Sequence, residues 1–363
     1  MKLCYYISGH GLGHASRSCQ IINALLQQSS SVHVEIISDA PAWFFQSVLP
    51  SCVTLRRRCL DVGVVQRDSL VMDLPATVNA WQKLLVRREE ILREELASLR
   101  ESGASLVVGD IPAFVFPAAR DAGLPSVAIG NFTWDWIYSE MSRDCPELDA
   151  VMQVLINDYR HANLYLRLPF HGGVPPFTSI EDLPLVARHS RREPHDVRTE
   201  LELPPGKKMG LISFGGFGLA DYDFGPLACL SDWVFFTESE QPWQGGGLRV
   251  LPSGKFAYPD LVAAADVVIT KPGYGIVSEA IVHDTAVLYT SRGKFPEQQV
   301  LVDGLHRYAR ALEIPNDDLR SGQWGSYLER LLALPPVAEQ LASDGDRVAA
   351  ERLLAILAGK EKI

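Results

Sequence analysis

Short apolar runs recur along the chain, with amphipathic stretches between them. Residues 2–7 (KLCYYI), 32–38 (VHVEIIS), 104–110 (ASLVVGD) and 126–130 (SVAIG) have the length and composition of buried strands. From about His14 to Gln28, Cys19, Ile22, Leu25 and Leu26 form one apolar stripe at helical spacing. The pattern over 80–102 (AWQKLLVRREEILREELASLRES) predicts one long charged helix, and 113–121 a shorter one. Strand and helix alternate, which predicts a parallel sheet with helices on both faces.

After 164–170 (LYLRLPF) the pattern breaks. The stretches HGGVPPFTSIEDLP and RHSRREPHDVRTELELPPGKK are rich in Pro, Gly and charge, the mark of a connector. A second alternating series follows: 208–216 (KMGLISFGG), 233–237 (WVFFT), 248–252 (LRVLP), 265–270 (ADVVIT) and 286–290 (AVLYT). The last 35 or so residues have helical patterning. With 363 residues and ~100–200 per domain, two domains are expected. The boundaries predicted are 1–180, a connector over 181–206, a second domain over 207–340, and a helix in 341–363 packing back on the first domain.

Composition narrows the class. A hydrophobic fraction of 47% and a charged fraction of 21% fit a folded, soluble, well-buried protein. The net charge of −10 argues against broad binding to nucleic acid or anionic membranes, since both need a positive field. Basic clusters at Arg56 to Arg58 and 188–195 (RHSRREPH) fit solvated loops. None of the six cysteines has CxxC or zinc spacing, so reduced thiols in a cytoplasmic protein are expected. The first apolar run is too short for a signal peptide, and no segment approaches the ~20 apolar residues of an integral membrane span.

Glycine-rich turns follow several strands. ISGHGLGH carries Gly9, Gly11 and Gly13 with His10 and His14; SFGGFG (213–218) carries Gly215 and Gly216. Glycine lets backbone N–H groups approach an anion at a helix N-terminus. A tight strand-to-helix turn needs glycine as well, and neither loop is a dinucleotide fingerprint or a P-loop. The segment 265–284 (ADVVITKPGYGIVSEAIVHD) is more specific. It runs from a strand through Lys271, Gly273 and Gly275 into a helix, where backbone N–H groups near Gly275 and Ile276 suit a pyrophosphate. Glu279, one turn in, can accept hydrogen bonds from two ribose hydroxyls. The competing reading is a helix whose dipole favours an early acid. After the next strand, SRGKFPEQQV (291–300) sets Glu297 beside Gln298, a pair suited to sugar hydroxyls or simply a polar helix start. Their order favours the ligand reading: phosphate loop, ribose carboxylate, sugar-reading pair, on successive strand ends of one half.

These motifs resemble those of GT-B glycosyltransferases, especially relatives of the N-acetylglucosaminyl transferase of peptidoglycan synthesis. The chain is more similar still to the N-terminal glycosyltransferase-like region of plant L-arabinokinases. The shared segments are YYISGHGLGHASR, DVGVVQRDSLVMD (61–73), SLVVGDIPA, NFTWDWIY (131–138), LRLPF, SFGG and KPGYGIVSEA. They run in order over nearly the whole chain and stop short of any sugar-kinase domain, so kinase activity is not carried over. The resemblance implies two Rossmann-like domains facing across a cleft, acceptor side first and nucleotide-sugar side second. It implies that His14, after Gly13, is a catalytic base paired with Asp110. It places the diphosphate on Gly275, Ile276, Val277 and Ser278, the ribose on Glu279, and the donor sugar on Glu297 and Gln298. Backbone near 254–258 (GKFAY), with Lys255 and Phe256, would meet the nucleobase of a UDP-type donor.

Transfer would need a base for an acceptor hydroxyl and positive character around the leaving diphosphate. Histidine suits the first role, oriented by a buried carboxylate. Helix N-termini with Lys271 or Arg292 suit the second. No D-x-D pair stands at a strand end, so inverting transfer without a metal or cofactor is expected. Alternatives stay open. His10 is a second candidate base, or a contact for an acceptor phosphate. Asp110 orients a histidine or caps the next element. Trp134 and Trp136 are stacking platforms, with Asn131 and Asp135 as polar contacts, or they are core. Asp61, Gln66 and Asp68 form a polar cluster expected to face the cleft. Two other functions fit the same architecture: a nucleotide-sugar 2-epimerase, and a non-catalytic nucleotide-sugar-binding regulator. Donor and acceptor are the partners expected, with hexosyl or N-acetylhexosaminyl transfer and domain closure over the cleft.

Overall fold

A computed structural model describes residues 1–67, 71–214, 223–239, 248–360 and 363. The first sheet comprises β1 (Lys2–Ile7), β2 (His33–Ser38), β3 (Thr54–Arg57), β4 (Leu106–Asp110), β5 (Ser126–Gly130), β6 (Leu164–Arg167) and β7 (Ile180–Asp182). The second comprises β8 (Lys208–Ser213), β9 (Trp233–Glu238), β10 (Leu248–Leu251), β11 (Val267–Thr270), β12 (Ala286–Tyr289) and β13 (Ala311–Glu313). Their orders are β3-β2-β1-β4-β5-β6-β7 and β10-β9-β8-β11-β12-β13, and every ladder is parallel. Central strands such as LCYYI and LVVGD are apolar without alternation because helices cover both faces.

Each order reverses beside its first strand, at β1/β4 and at β8/β11. At such a point the loops leaving the two strands diverge and open a crevice outside the carboxyl ends. Register fixes what lines it: Ile7 pairs with Asp110, and Ser213 with Thr270. The glycine loop after β1 therefore lies beside Asp110, and the loop after β11 beside the end of β8.

The two units share one apolar cluster. Leu183, Leu185, Val186 and Ala187 join residues of the first sheet to Tyr274, Val277 and Tyr289 of the second unit. The helix Gly345–Leu357 packs on the helix Gly13–Gln28 through Ala349, Ala350, Leu353 and Ile356. Residues 181–206 contain the end of β7 and a helix, Pro194–Glu200.

Several elements differ from the sequence pattern. The long helix predicted over 80–102 is two helices, Leu74–Val86 and Arg88–Ser102. No buried residue lies between Trp81 and Ile91, so nothing holds a single rod against the core, and the chain breaks at Arg87. The first helix starts early because Asp73 caps it by accepting from the Ala76 N–H. Strands β3, β7 and β13 have three or four residues each and carry charge, too short for a periodic signal. The expected C-terminal helical stretch is interrupted between Leu332 and Gly345, where two prolines follow one another.

Candidate active site between the two sheets

The loop after β1 is fastened to the end of β4 by the Ser8 N–H, which donates to Asp110 O at 2.7 Å. Two glycines allow its tight path. A Cβ on Gly9 would lie 1.9 Å from Asp39 Oδ1, and one on Gly63 would lie 2.4 Å from the His10 ring. The following helix begins at Gly13 and presents His14, Arg17 and Ser18 on one face, as i, i+3 and i+4 spacing requires.

All three converge on Asp110, which is fully buried. Asp110 Oδ1 lies 2.8 Å from His14 Nδ1 and accepts from Arg17 Nη2 at 2.6 Å. Asp110 Oδ2 accepts from Arg17 Nε at 2.7 Å and from Ser18 Oγ at 2.9 Å. Burial alone would push this carboxyl up; the Arg17 charge and hydrogen bonds, with help from His14, outweigh it and hold Asp110 at about 2. His14 Nδ1 also stands 3.0 Å from Arg17 Nη2; it can donate to the carboxylate or accept from the guanidinium, one at a time. With Nδ1–H on Asp110, the basic nitrogen of the ring is Nε2.

His10 is different. Burial first, then the electrostatic influence of His14, Arg292 and Lys271, pushes its pKa down to about 3. Such a ring is neutral at pH 7 and accepts a proton roughly three orders of magnitude more weakly than ordinary imidazole.

A hydrogen-bonded chain leads from Asp110 into the second unit. Arg17 Nη1 donates to Asn131 Oδ1 at 2.6 Å, and Asn131 Nδ2 donates to Glu297 Oε1 at 2.9 Å. Arg292 Nη1 reaches Glu297 Oε2 at 3.3 Å and Pro272 O at 2.9 Å. Burial pushes the Arg292 guanidinium below its ordinary range, and Glu297 offsets part of that shift. The Arg17 guanidinium also lies over the Tyr274 ring, 5.2 Å from its centroid.

In the second unit, Gly273 precedes the helix Tyr274–Val282, whose first N–H groups have no intrahelical partner. Val277 is core, and Ser278 Oγ donates back to Tyr274 O at 2.7 Å, so backbone rather than these side chains is what the loop offers an anion. Glu279 is 1% exposed. Its Oε1 accepts from Arg188 Nε at 2.5 Å, while its buried Oε2 has no hydrogen-bond partner. Burial raises the Glu279 carboxyl, and Arg188 opposes the rise. Beside it, Ser16, Arg17, Gln20, Arg188 and Tyr274 line a cavity of about 10 Å³, roughly room for one water. Gln298 is spent on its own loop: its Oε1 accepts from the Arg292 N–H and its Nε2 donates to Ser291 Oγ. Phe256 lies in the core and Lys255 lies over its ring, so backbone, not the Phe256 face, is what this segment offers a ligand.

Four expectations need correction. Trp134 is no stacking platform: it has no exposed surface, donates from Nε1 to Asp61 Oδ2 at 2.9 Å, and packs against the rings of His10 and His14. Asn131 is wholly buried between the units rather than offered to an acceptor. Asp61 is buried, not open to the cleft; burial pushes its carboxyl up to about 6 against the pull of Ser8, Trp134 and His14. Asp135 is also buried, with Oδ1 unpartnered. Gly11 turns the loop with φ +69°, and Gln66 bridges to Met72. Asp68, Gly215 and Gly216 lie outside the described residues. Arg17 escaped the sequence reading, and Arg188, expected in a solvated basic loop, is instead largely buried and paired with Glu279. The signal for Arg17 is the H-x-x-R-S spacing, which brings two more donors to the carboxylate that His14 meets.

Among the described residues, no group of three His, Cys, Asp or Glu side chains is placed to hold a metal, and no helix is long and apolar enough to cross a membrane. No family model matches the chain. Among solved structures, the Acinetobacter baumannii MurG is 14% identical with a TM-score of 0.60, covering 97% of this chain and 99% of that one. Phytolacca americana UGT2, complexed with UDP-2fluoro-glucose and pterostilbene, is 14% identical with a TM-score of 0.60, covering 99% of each chain. The fold is GT-B. Within this GT-B chain, the similarity to L-arabinokinase of Arabidopsis thaliana is 32% identity over 351 residues, 95% of this chain and 33% of that protein. The chain thus spans about a third of the length of the curated relative it matches.

Proposed function

We propose that this GT-B protein transfers a hexosyl or N-acetylhexosaminyl group from a UDP-type nucleotide sugar to a hydroxyl acceptor, with inversion and without a metal. The observation that carries the reading is the hydrogen-bonded chain from His14–Asp110 to Glu297, which sets a candidate base against the sugar end of a candidate donor site. His14 Nε2 takes the acceptor proton as the hydroxyl oxygen attacks the anomeric carbon; the bond to the diphosphate breaks on the opposite side. The N–H groups at Gly275 and Ile276, with Lys271 and Arg292, stabilise the charge that develops there. The unpartnered Oε2 of Glu279 accepts from a ribose hydroxyl. The Phytolacca structure, of the same fold, holds a UDP-sugar analogue and a pterostilbene together, which supports the two-substrate arrangement.

The test is incubation with a panel of UDP-sugars in EDTA, preceded by a thermal-shift screen to find a stabilising nucleotide. Slow release of UDP, accelerated by an acceptor hydroxyl, is the expected result. Isomerisation of the sugar without an acceptor would establish an epimerase instead, and tight binding without turnover a regulator.

A further inference from the structure

His14 does not have Asp110 to itself. In an isolated carboxylate–histidine pair, the full negative charge stabilises the imidazolium and raises its proton affinity. Here Arg17 lies on the same carboxylate through two hydrogen bonds, at 2.7 and 2.6 Å, with both side chains buried. Its Nη2 also stands 3.0 Å from His14 Nδ1, where it faces any charge that the ring acquires. Asp110 and Arg17 together are neutral. The carboxylate keeps its geometric hold on the ring but loses most of its field.

We propose that Arg17 is a positioning residue that cancels the Asp110 charge, so that His14 is held in place without being driven to its protonated form. Asp110 then fixes the orientation of the ring while its charge is spent on Arg17. This proposal rests on His14 as the base of the transfer read above. The other groups facing His14 are His10 from the loop after β1 and Asp61 beneath Trp134; the rings of Phe132 and Trp134 complete the pocket. These are common to parent and variant, so a comparison isolates Arg17.

The experiment follows the His14 ring by NMR through a pH titration of the full chain, in the parent, Arg17→Met and Arg17→Lys. In Arg17→Met the Asp110 charge is uncompensated, and the His14 midpoint moves up by at least about 1 pH unit, the low end for an opposite charge at this range. Arg17→Lys keeps a positive charge and moves it less. If Arg17→Met does not fold, Arg17→Gln, which retains an amide donor for Asp110, carries the same expectation. An unchanged or lowered midpoint in the neutral variant overturns the proposal. The titration needs no substrate, so a failure here is distinguishable from a failure in the UDP-sugar panel. Where transfer is found, the acidic limb of kcat/KM shifts upward by the same interval in the neutral variant, so the loss is largest on that limb, approaching about tenfold for a 1-unit shift, and is recovered at alkaline pH. A purely structural loss would be equal at every pH.

Discussion

Asn131 Nδ2 donates to Glu297 Oε1 at 2.9 Å, a single hydrogen bond between residues 166 apart that joins the two facing units of the site. Asn131 also accepts from Arg17 at 2.6 Å, so its amide is committed at both ends. Asn131→Ala leaves a buried carboxylate oxygen and a buried guanidinium N–H without this partner. The expected loss is about 1–3 kcal/mol of stability, the cost of leaving such groups unsatisfied. Urea unfolding checks it, and a loss below a few tenths would mean that the bridge is not held in solution.

His14→Ala is expected to keep affinity for UDP while transfer falls at least ~100-fold, the low end for acid–base catalysis. His10→Ala should cost less than about tenfold, because a ring pushed to about 3 is a poor base at pH 7. Side-by-side turnover and calorimetry decide between the two histidines. If the His10 variant lost more than the His14 variant, the assignment of the base would be reversed.

Much of this was legible in the sequence for a physical reason. Strands β1, β4 and β5 are buried on both faces and show as unbroken apolar runs, and their ends locate His14 and Asp110. Strand β7 reads IED and pairs only with β6, so its sequence reflects an exposed edge. Arg17 was hidden because an arginine in an amphipathic helix usually marks a solvated face; only its three-residue offset from His14 hints otherwise. The Asn131–Glu297 bond has no local signature, since it exists only once two distant loops are apposed. Trp134 failed as a predicted platform because one aromatic spacing serves core and ligand surface alike.

Glu279→Gln tests the donor site with little change in shape. The parent presents a fully acceptor carboxylate with one oxygen on Arg188 and the other unpartnered. The amide keeps one acceptor and puts N–H donors where the second was. UDP binding by calorimetry should weaken by about 1.5–3 kcal/mol, the worth of a hydrogen bond to a charged group. Equal affinity would remove Glu279 from ribose recognition and leave it as the anchor of Arg188 alone.

Asp61 offers a test by pH. Its carboxyl is buried, 4% exposed, and pushed up to about 6 from an ordinary value of 3.8. The folded state therefore holds this proton more tightly than the unfolded chain. The stability contributed by the neutral form is complete below the unfolded value and is lost as pH rises through about 6. At 1.36 kcal/mol per unit, the ionised side chain costs the fold about 2–3 kcal/mol at pH 8. Asp61→Asn keeps an acceptor for Trp134 Nε1 and cannot ionise. It should match the parent near pH 4 and exceed it by about 2–3 kcal/mol at pH 8. Urea unfolding of both proteins at the two pH values measures the difference directly. A gain of equal size at both would assign the effect to packing, and no gain at pH 8 would mean that Asp61 ionises in the fold at its ordinary pH.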